Sequence, residues 1–585
     1  MNTVLVGLPA APGIGIGQIV IHSSLATETW GEVTAADPEA EWQRFLTAQR
    51  QVDDELARSS GQESPLIAEI FAAHRYILQD ATLLEAVHRA IDEGHNAVHA
   101  TYRAITELAD VFRALEDEYF AGRAADILDI GQRLLAHLGA PAQPVELATL
   151  PPNTVLIAGD LAPSELAQLP ADHVVGIVLA FSTPTAHSAI LARSLGIPLI
   201  CTAGDSVLDL SPGHTAVVNG HNGRLLIDPG AEEMQRQRAA QQDFLQVQAT
   251  ASAHAAEPAI TLDGVHIPVY ANANGPEDIG LACLHGADGV GLLRTEYLFQ
   301  DRPAPPTVEE QERSYRAFAQ QLRQRLLTVR ALDAGGDKPI AYMAVRGENN
   351  PFLGQRGIRL LLQHPRLLRD QFSALLRVAR DLHGELEFRF MLPMVATVEE
   401  LHSARKLLDE LTALESAVGD GVDLVKVGVL IEVPAAALMA RHLASLVDYF
   451  SIGTNDLAQY VLASDRTNSS VAGMADPLHP AVLQLIKATC DAARQAGMPV
   501  SLCGELAGDF HAVSLLLGLG VTEFSAPLPA VALVKQSVRR CQLPACQRLA
   551  AAALECDSSH AVRRLLATEP YDDQGAIPAD YPEAM

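Results

Sequence analysis

Eight short β-type runs lie between His266 and Pro527, and most are separated by helical segments. They constrain this chain more than any other feature. The runs are "HIPVYANAN", "GVGLLRTE", "LTVRALDAGGD", "LEFRFMLPMV", "VKVGVLIEVP", "DYFSIGTND", "PVSLCGEL" and "VTEFSAP". Between them stand patterns such as "VEELHSARKLLDELTALESA" and "HPAVLQLIKATCDAARQAG". Strands that alternate with helices pair in parallel, because a parallel partner needs a crossover long enough to hold a helix. Eight such units in about 320 residues predict a (β/α)8 barrel.

In a barrel of this kind the chemistry sits at the C-terminal ends of the strands. Those ends carry Arg294 and Glu296, Arg330 and Asp333, Glu432, Asn455 and Asp456, and Cys503 and Glu505. Solvated loop polarity accounts for one or two of these and poorly for the set. Arg356, in "NPFLGQRGIR", and Arg466, in "LASDRTN", add to the cations. Arginines stay charged, and their forks match phosphate or carboxylate through two hydrogen bonds. Four of them imply a small substrate with several negative charges. Glu432 and Asp456 are hard oxygen ligands that suit Mg2+ with phosphate and water oxygens. Asn455 could hold a phosphate oxygen. Cys503 could act as a general acid or base, or be a buried structural thiol. No GxxxxGK[ST] loop is present, so the donor is a small phosphate compound rather than ATP. "GIGIG" and "GGDK" are weak phosphate-loop candidates.

The N-terminal half is mixed. "TVLVGLPAAPGIGIGQIVIH" opens it as strand, and residues from Asp37 to Leu138 read as a helical bundle, with Ile105, Leu108, Phe112, Leu115 and Tyr119 on one stripe. "TVLIAG", "VVGIVLA", "PLICT", "TAVVNG" and "GRLLIDP" return to β-type runs. The expected division is a small α/β domain from 1–22 plus 143–228, an inserted helical bundle at 23–142, a polar linker helix at 229–260 and the barrel at 261–585. Within the α/β domain "TPTAHSAILARSLGIP" places His187 at a helix start, among small residues. A helix N-terminus favours an anion on the ring, and histidine is a competent nucleophile toward phosphorus. A helix-capping histidine is the bland alternative.

The formal charge of −29 argues against nucleic acid and anionic membrane surfaces as partners. No run is long enough for a membrane span or a signal peptide. Seven scattered cysteines, with no CxxC pair, fit a reducing cytoplasm and give no zinc site.

Taken together, "AAPGIGIGQ", "DEYFAGRAADILDIGQRLL", "TAHSAILARSLGIP", "GVGLLRTEYLFQDR", "RALDAGGDKP", "NPFLGQRGIR", "LIEVPAAA", "FSIGTNDLAQYVLASDR" and "LCGELAG" closely resemble Enzyme I of the bacterial phosphotransferase system. The resemblance covers nearly the whole chain. It implies that His187 takes the phosphoryl group of phosphoenolpyruvate and passes it to a histidine of the carrier HPr, as the first step of sugar uptake. Arg294, Arg330, Arg356 and Arg466, with Asn455, would hold phosphate and carboxylate. Glu432 and Asp456 would bind Mg2+, and Cys503 would protonate the enolate to give pyruvate. The helical insertion would dock HPr through His74, Tyr76, Ile77, Leu78 and Asp80, with Arg123. The α/β domain would swivel between the two partners, and the barrels would pair as a homodimer. Pyruvate phosphate dikinase and phosphoenolpyruvate synthase share the histidine and barrel, but need an ATP-grasp domain that residues 1–142 are too short and too helical to supply. A regulatory phosphoprotein with weakened catalysis is the other alternative. The chain departs from the family at Ser182, Thr183 and Ala186 around the histidine, and at Leu166, where a Thr that hydrogen-bonds the histidine is common.

Overall fold

The computed structural model describes residues 3–22, 37–59, 75–113 except 76, 127–138 except 129 and 132, and 147–183 except 162–164, 167 and 171. It also describes 189, 192 and 195–568 except 301, 323–324, 337–339, 341, 343–347, 349, 417–423, 467 and 469–470. The chain divides into two compact units, with the boundary at Gln242/Asp243.

The first unit is built on an eight-stranded sheet. Its strands are β1 (Thr3–Val6), β2 (Leu8–Ala11), β3 (Ile14–His22), β4 (Thr154–Ala158), β5 (Val174–Leu179), β6 (Leu199–Cys201), β7 (Thr215–Asn219) and β8 (Arg224–Ile227), in the order β1-β8-β7-β3-β4-β5-β6-β2. β3 to β6 run parallel and the others antiparallel. The opening stretch reads as one strand but folds as three. Pro9 and Pro12 lack the N–H that a continuous inner strand needs, and proline is confined to edges and breaks. β2, with Pro9, is accordingly an edge strand on β6. The "GIGIG" stretch runs into β3, so it is strand rather than phosphate loop.

Between β3 and β4 the chain is helical: Pro38–Ser59, Ala81–Asp92, Ala97–Arg113 and helical turns within 127–138. Apolar residues at helical spacing close its core, among them Phe45, Val52, Val87, Ile105, Ile130 and Leu134, all essentially without exposure. Leu108 is half-buried beside them, and the outer part of the anticipated stripe, Leu115 and Tyr119, lies outside the described residues. Asp80 caps the second helix by accepting from Thr82 N at 2.7 Å, the role a short acidic side chain plays at this position.

The second unit is a closed barrel. β9 (Val269–Ala273), β10 (Gly289–Leu293), β11 (Leu326–Arg330), β12 (Phe388–Leu392), β13 (Lys426–Ile431), β14 (Tyr449–Ile452), β15 (Val500–Leu502) and β16 (Glu523–Ala526) follow one another around it, and β16 closes on β9. Every pairing is parallel. All eight runs read from the sequence are strands of this barrel. One face of each strand joins the large apolar core under the helices, with Phe372, Phe390, Ile486 and Leu516 among its members. The lumen is different. Leu292, Met391, Leu430, Tyr449 and Cys503 form a separate cluster from strands that are not all neighbours, so they meet across the barrel axis. Below them Arg389 of β12 reaches Glu523 of β16, with contacts at 2.7 and 3.2 Å.

Candidate active site

The C-terminal mouth of the barrel gathers the charged residues that end the strands. β11 stops at Arg330, which is 4% exposed. Its guanidinium donates to Glu296, from the turn after β10, and pairs with Asp333 at 3.2 Å. Burial opposes its charge, yet Glu296 and Asp333 overcome that and hold Arg330 above the ordinary arginine value. Arg356 comes from the segment after β11 and is fully buried. It donates to both Asp333 oxygens at 3.1 Å and to both Asp456 oxygens at 2.8 and 3.2 Å. It also donates to Tyr460 Oη at 3.2 Å, which in turn donates to Phe352 O at 2.6 Å. Arg466 completes the group at 3.5 Å from Asp456.

Burial raises the Asp456 carboxyl, but Arg466 and Arg356 outweigh it and hold the group below the usual range. Glu432, just past β13, is 1% exposed and is pushed the other way, by burial and then by the charges of Asp456 and Asp333. Its Oε1 accepts from Met394 N at 2.7 Å, and Met394 holds a left-handed φ of 60° to present that N–H. A Cβ at Gly453 would lie 2.9 Å from Glu432 Oε2, so glycine there leaves the carboxylate its space. Gly357, at φ +56°, turns the chain beside Asp333 so that Arg356 can enter the cluster.

Unused donors remain in this cluster. Among the described residues, Arg294 Nε and Arg330 Nε are buried without a hydrogen-bond partner. Burial and the charge of Arg330 push Arg294 below its ordinary value. A buried donor without an acceptor is costly, and an anionic ligand would relieve both atoms. Asn455 accepts from Glu505 N at 2.9 Å through its oxygen, which keeps Nδ2 as a donor. Cys503 is 6% exposed, and burial pushes its thiol up to about 11, so it carries its proton at neutral pH.

The sequence therefore names four arginines, two carboxylates, an amide and a thiol, and the fold gathers all eight at one barrel mouth, some at strand ends and others, such as Arg356 and Arg466, on the segments that follow the strands. It did not single out Asp333 and Glu296 as the arginines' partners, nor Gln371, which accepts from Leu332 N at 2.8 Å and donates to Thr295 Oγ1 at 3.1 Å. Gln371 lies on a helix, and nothing local to its sequence marks it. "GGDK" contributes Gly335, packed against Arg356, while Asp337 and Lys338 lie outside the described residues.

In the first unit His187 also lies outside the described residues, as do Thr185 and Ala186. The segment leaves β5 through Ser182, which is buried and whose carbonyl accepts from Thr202 N and Oγ1 at 3.0 and 2.9 Å. Thr183 follows it, half-buried. Leu166 is 1% exposed and packs in the apolar layer of this sheet, so it takes a packing role where a threonine would offer a hydroxyl. Of the docking patch, His74, Tyr76 and Arg123 lie outside the described residues, and Ile77 is half-buried. Leu78 does not sit on a surface patch: it is fully buried in the helical core just ahead of the Asp80 cap, because an apolar residue beside a cap can pack inward as readily as outward. Asp80 is occupied as a helix cap.

Three models of the PEP-utilising enzymes match the chain: the N-terminal domain at residues 6–123, the mobile domain at 150–223 and the PEP-binding domain at 248–543. A phosphoenolpyruvate–protein phosphotransferase of Staphylococcus carnosus is 35% identical over 95% of this chain and 97% of its own length. The chain belongs to the Enzyme I family of phosphoenolpyruvate–protein phosphotransferases. A Haloferax volcanii protein of the same name is 38% identical over 89% of this chain and 91% of its own. A multiphosphoryl transfer protein of Xanthomonas campestris is 42% identical over 96% of this chain, which spans 66% of that longer relative. An NMR structure of an Enzyme I protein aligns over 41% of this chain at 28% identity, with a TM-score of 0.33. Among the described residues, no helix of this Enzyme I family member is long and apolar enough to cross a membrane.

Proposed function

We propose that this chain transfers the phosphoryl group of phosphoenolpyruvate to His187, then to a histidine of an HPr-type carrier, and releases pyruvate as the first step of sugar uptake. The observation that carries the reading is the barrel mouth: four arginines face buried carboxylates, and Arg294 and Arg330 keep Nε donors unused. Phosphate and carboxylate are the ligands such forks bind. The mobile-domain match contains His187, which supports its role as acceptor.

Arg294, Arg330, Arg356 and Arg466 neutralise the phosphate and carboxylate, and Asn455 Nδ2 donates to a phosphate oxygen. The bond from phosphorus to the enol oxygen breaks as the bond to the imidazole nitrogen forms. The electron pair left on the enolate is stabilised by the arginines. Cys503 then gives its thiol proton to the methylene carbon, which yields pyruvate.

Glu432 and Asp456 fit a divalent cation. They are hard oxygen donors, and burial, with the charge of Asp456 next, raises Glu432. Among the described residues no group of three His, Cys, Asp or Glu stands ready around a metal, so substrate and water oxygens would complete the shell. Bound there, Mg2+ would neutralise charge on the transferring phosphoryl group.

The swivelling movement of the α/β domain at 1–22 plus 143–228, docking of HPr on the inserted bundle at 23–142, the linker at 229–260, and pairing of barrels as a cytoplasmic homodimer belong to the same proposal. Intact-protein mass spectrometry after incubation with phosphoenolpyruvate and Mg2+ tests it. Wild type should gain one acid-labile phosphoryl group, His187→Ala none, and added HPr should remove it. A wild-type chain that stays unmodified overturns the reading.

A further inference from the structure

Cys503 stands in an apolar setting, with Leu292, Met391, Leu430 and the Tyr449 ring around it. Its backbone is fixed, since Cys503 N donates to Ile452 O at 3.0 Å. Its sulfur meets two polar groups among the described residues. The Ser451 hydroxyl lies 3.2 Å from Sγ and is placed to donate to it, and the thiol points its own proton toward Ile452 O at 3.6 Å. Ser451 is fully buried on β14, in register with Ser501 of β15, so its side chain has no access to bulk water.

This arrangement bears on the second half of the reaction. When Cys503 protonates the enolate, the C–H bond forms with the thiol proton and the S–H electron pair stays on sulfur. The thiolate then borders apolar side chains, with Glu432, Arg330 and Arg294 acting on it only through their charges, and a sulfur anion without a hydrogen-bond donor there is expensive. A hydroxyl already aimed at the sulfur supplies the missing hydrogen bond, and such bonds strengthen when the acceptor is ionised.

We propose that Ser451 is a positioning residue for proton transfer: its hydroxyl holds the Cys503 sulfur and stabilises the thiolate that forms when pyruvate is made. The inference rests on the role given to Cys503 above. It assigns Ser451 no contact with phosphoenolpyruvate.

The test is a double-mutant cycle on the full-length protein, read by the rate of pyruvate formation at saturating Mg2+. Ser451→Ala should lower kcat by about 10- to 100-fold, the range of a hydrogen bond to a charged group, with KM for phosphoenolpyruvate within about twofold. The solvent deuterium isotope effect on kcat should rise, because proton transfer becomes more limiting. Ser451→Thr, which keeps the hydroxyl, should recover most of the rate. In a Cys503→Ala background, Ser451→Ala should cost nothing further. A Ser451→Ala enzyme with unchanged kcat and isotope effect overturns the inference, as does an equal fractional loss in both backgrounds. If Cys503→Ala itself leaves pyruvate formation unchanged, the assignment of Cys503 fails first, and the two failures are told apart.

Discussion

The two ends of the barrel both bury charge, and they do so differently. At the N-terminal base Arg389 and Glu523 are 5% and 6% exposed and bond each other through both guanidinium arms. Lys535, with no exposure, donates to Asp288 Oδ1 at 2.7 Å and Gly286 O at 2.6 Å. Among the described residues, the charged atoms of Arg389, Glu523 and Lys535 are all satisfied at this end. At the C-terminal mouth Arg294 and Arg330 keep buried Nε atoms without acceptors, and Glu432 is pushed up by burial and then by its carboxylate neighbours. Burial of charge alone therefore does not mark a site. What marks it is charge left incompletely answered, because folding tolerates that cost only where a ligand later removes it.

The comparison breaks most sharply if the base turns out to matter for turnover. Glu523→Gln removes the buried one of Arg389's two carboxylate partners and leaves only the more exposed Glu387, at 2.9 Å from Nε, so it should cost up to about 3–5 kcal/mol of stability in denaturant titration. It should leave kcat/KM for phosphoenolpyruvate within about twofold. A large fall in kcat/KM of the folded variant would erase the distinction between the ends.

Arg294→Met is the converse. Arg294 is held below its ordinary value, so its removal should leave the thermal midpoint unchanged or raised. Loss of a phosphate or carboxylate fork should lower kcat/KM by about 100- to 1,000-fold. A destabilised variant with normal kinetics would make Arg294 a structural cation.

Glu432 sharpens the contrast through pH. Its folded pKa is raised, so above the ordinary glutamate value, near pH 4.3, the folded state binds more protons than the unfolded one. Metal-free stability should then fall as pH rises from that point through neutrality, by up to about 2–4 kcal/mol. Glu432→Gln should flatten this slope in melts at pH 5 to 8, and MgCl2 should reduce it in wild type. An identical slope in the variant would mean that Glu432 is not the group whose burial and carboxylate neighbours set it.

The smallest effect belongs to the rim of the base. Lys426 and Glu387 pair at 3.1 Å, with about half of each side chain exposed. Lys426→Ala should change stability by less than about 1 kcal/mol, since solvent screens such pairs. A larger loss would mean that the Arg389 pair depends on its exposed neighbours.

Much of this was legible in the chain. Strand runs such as "VKVGVLIEVP" end in the residue that enters the mouth, so reading their C-terminal ends found Arg330, Glu432 and Asp456. Partners could not be read that way. Asp333 and Asp456 meet on Arg356 across 23 and 100 residues of sequence, and Gln371 comes from a helix. Leu78 failed for a related reason: an apolar residue beside a cap serves a core as readily as a surface.

The sequence by itself determined the alternation of strand and helix, and with it the parallel barrel and the end at which its chemistry gathers. Period and punctuation are local properties, and a parallel sheet admits few ways to close. Only the tertiary structure decided which charges answer one another, which donors are left unused, and that Ser451 faces the sulfur of Cys503. Those facts depend on distances between strands and loops far apart in the chain, and no spacing along it encodes them.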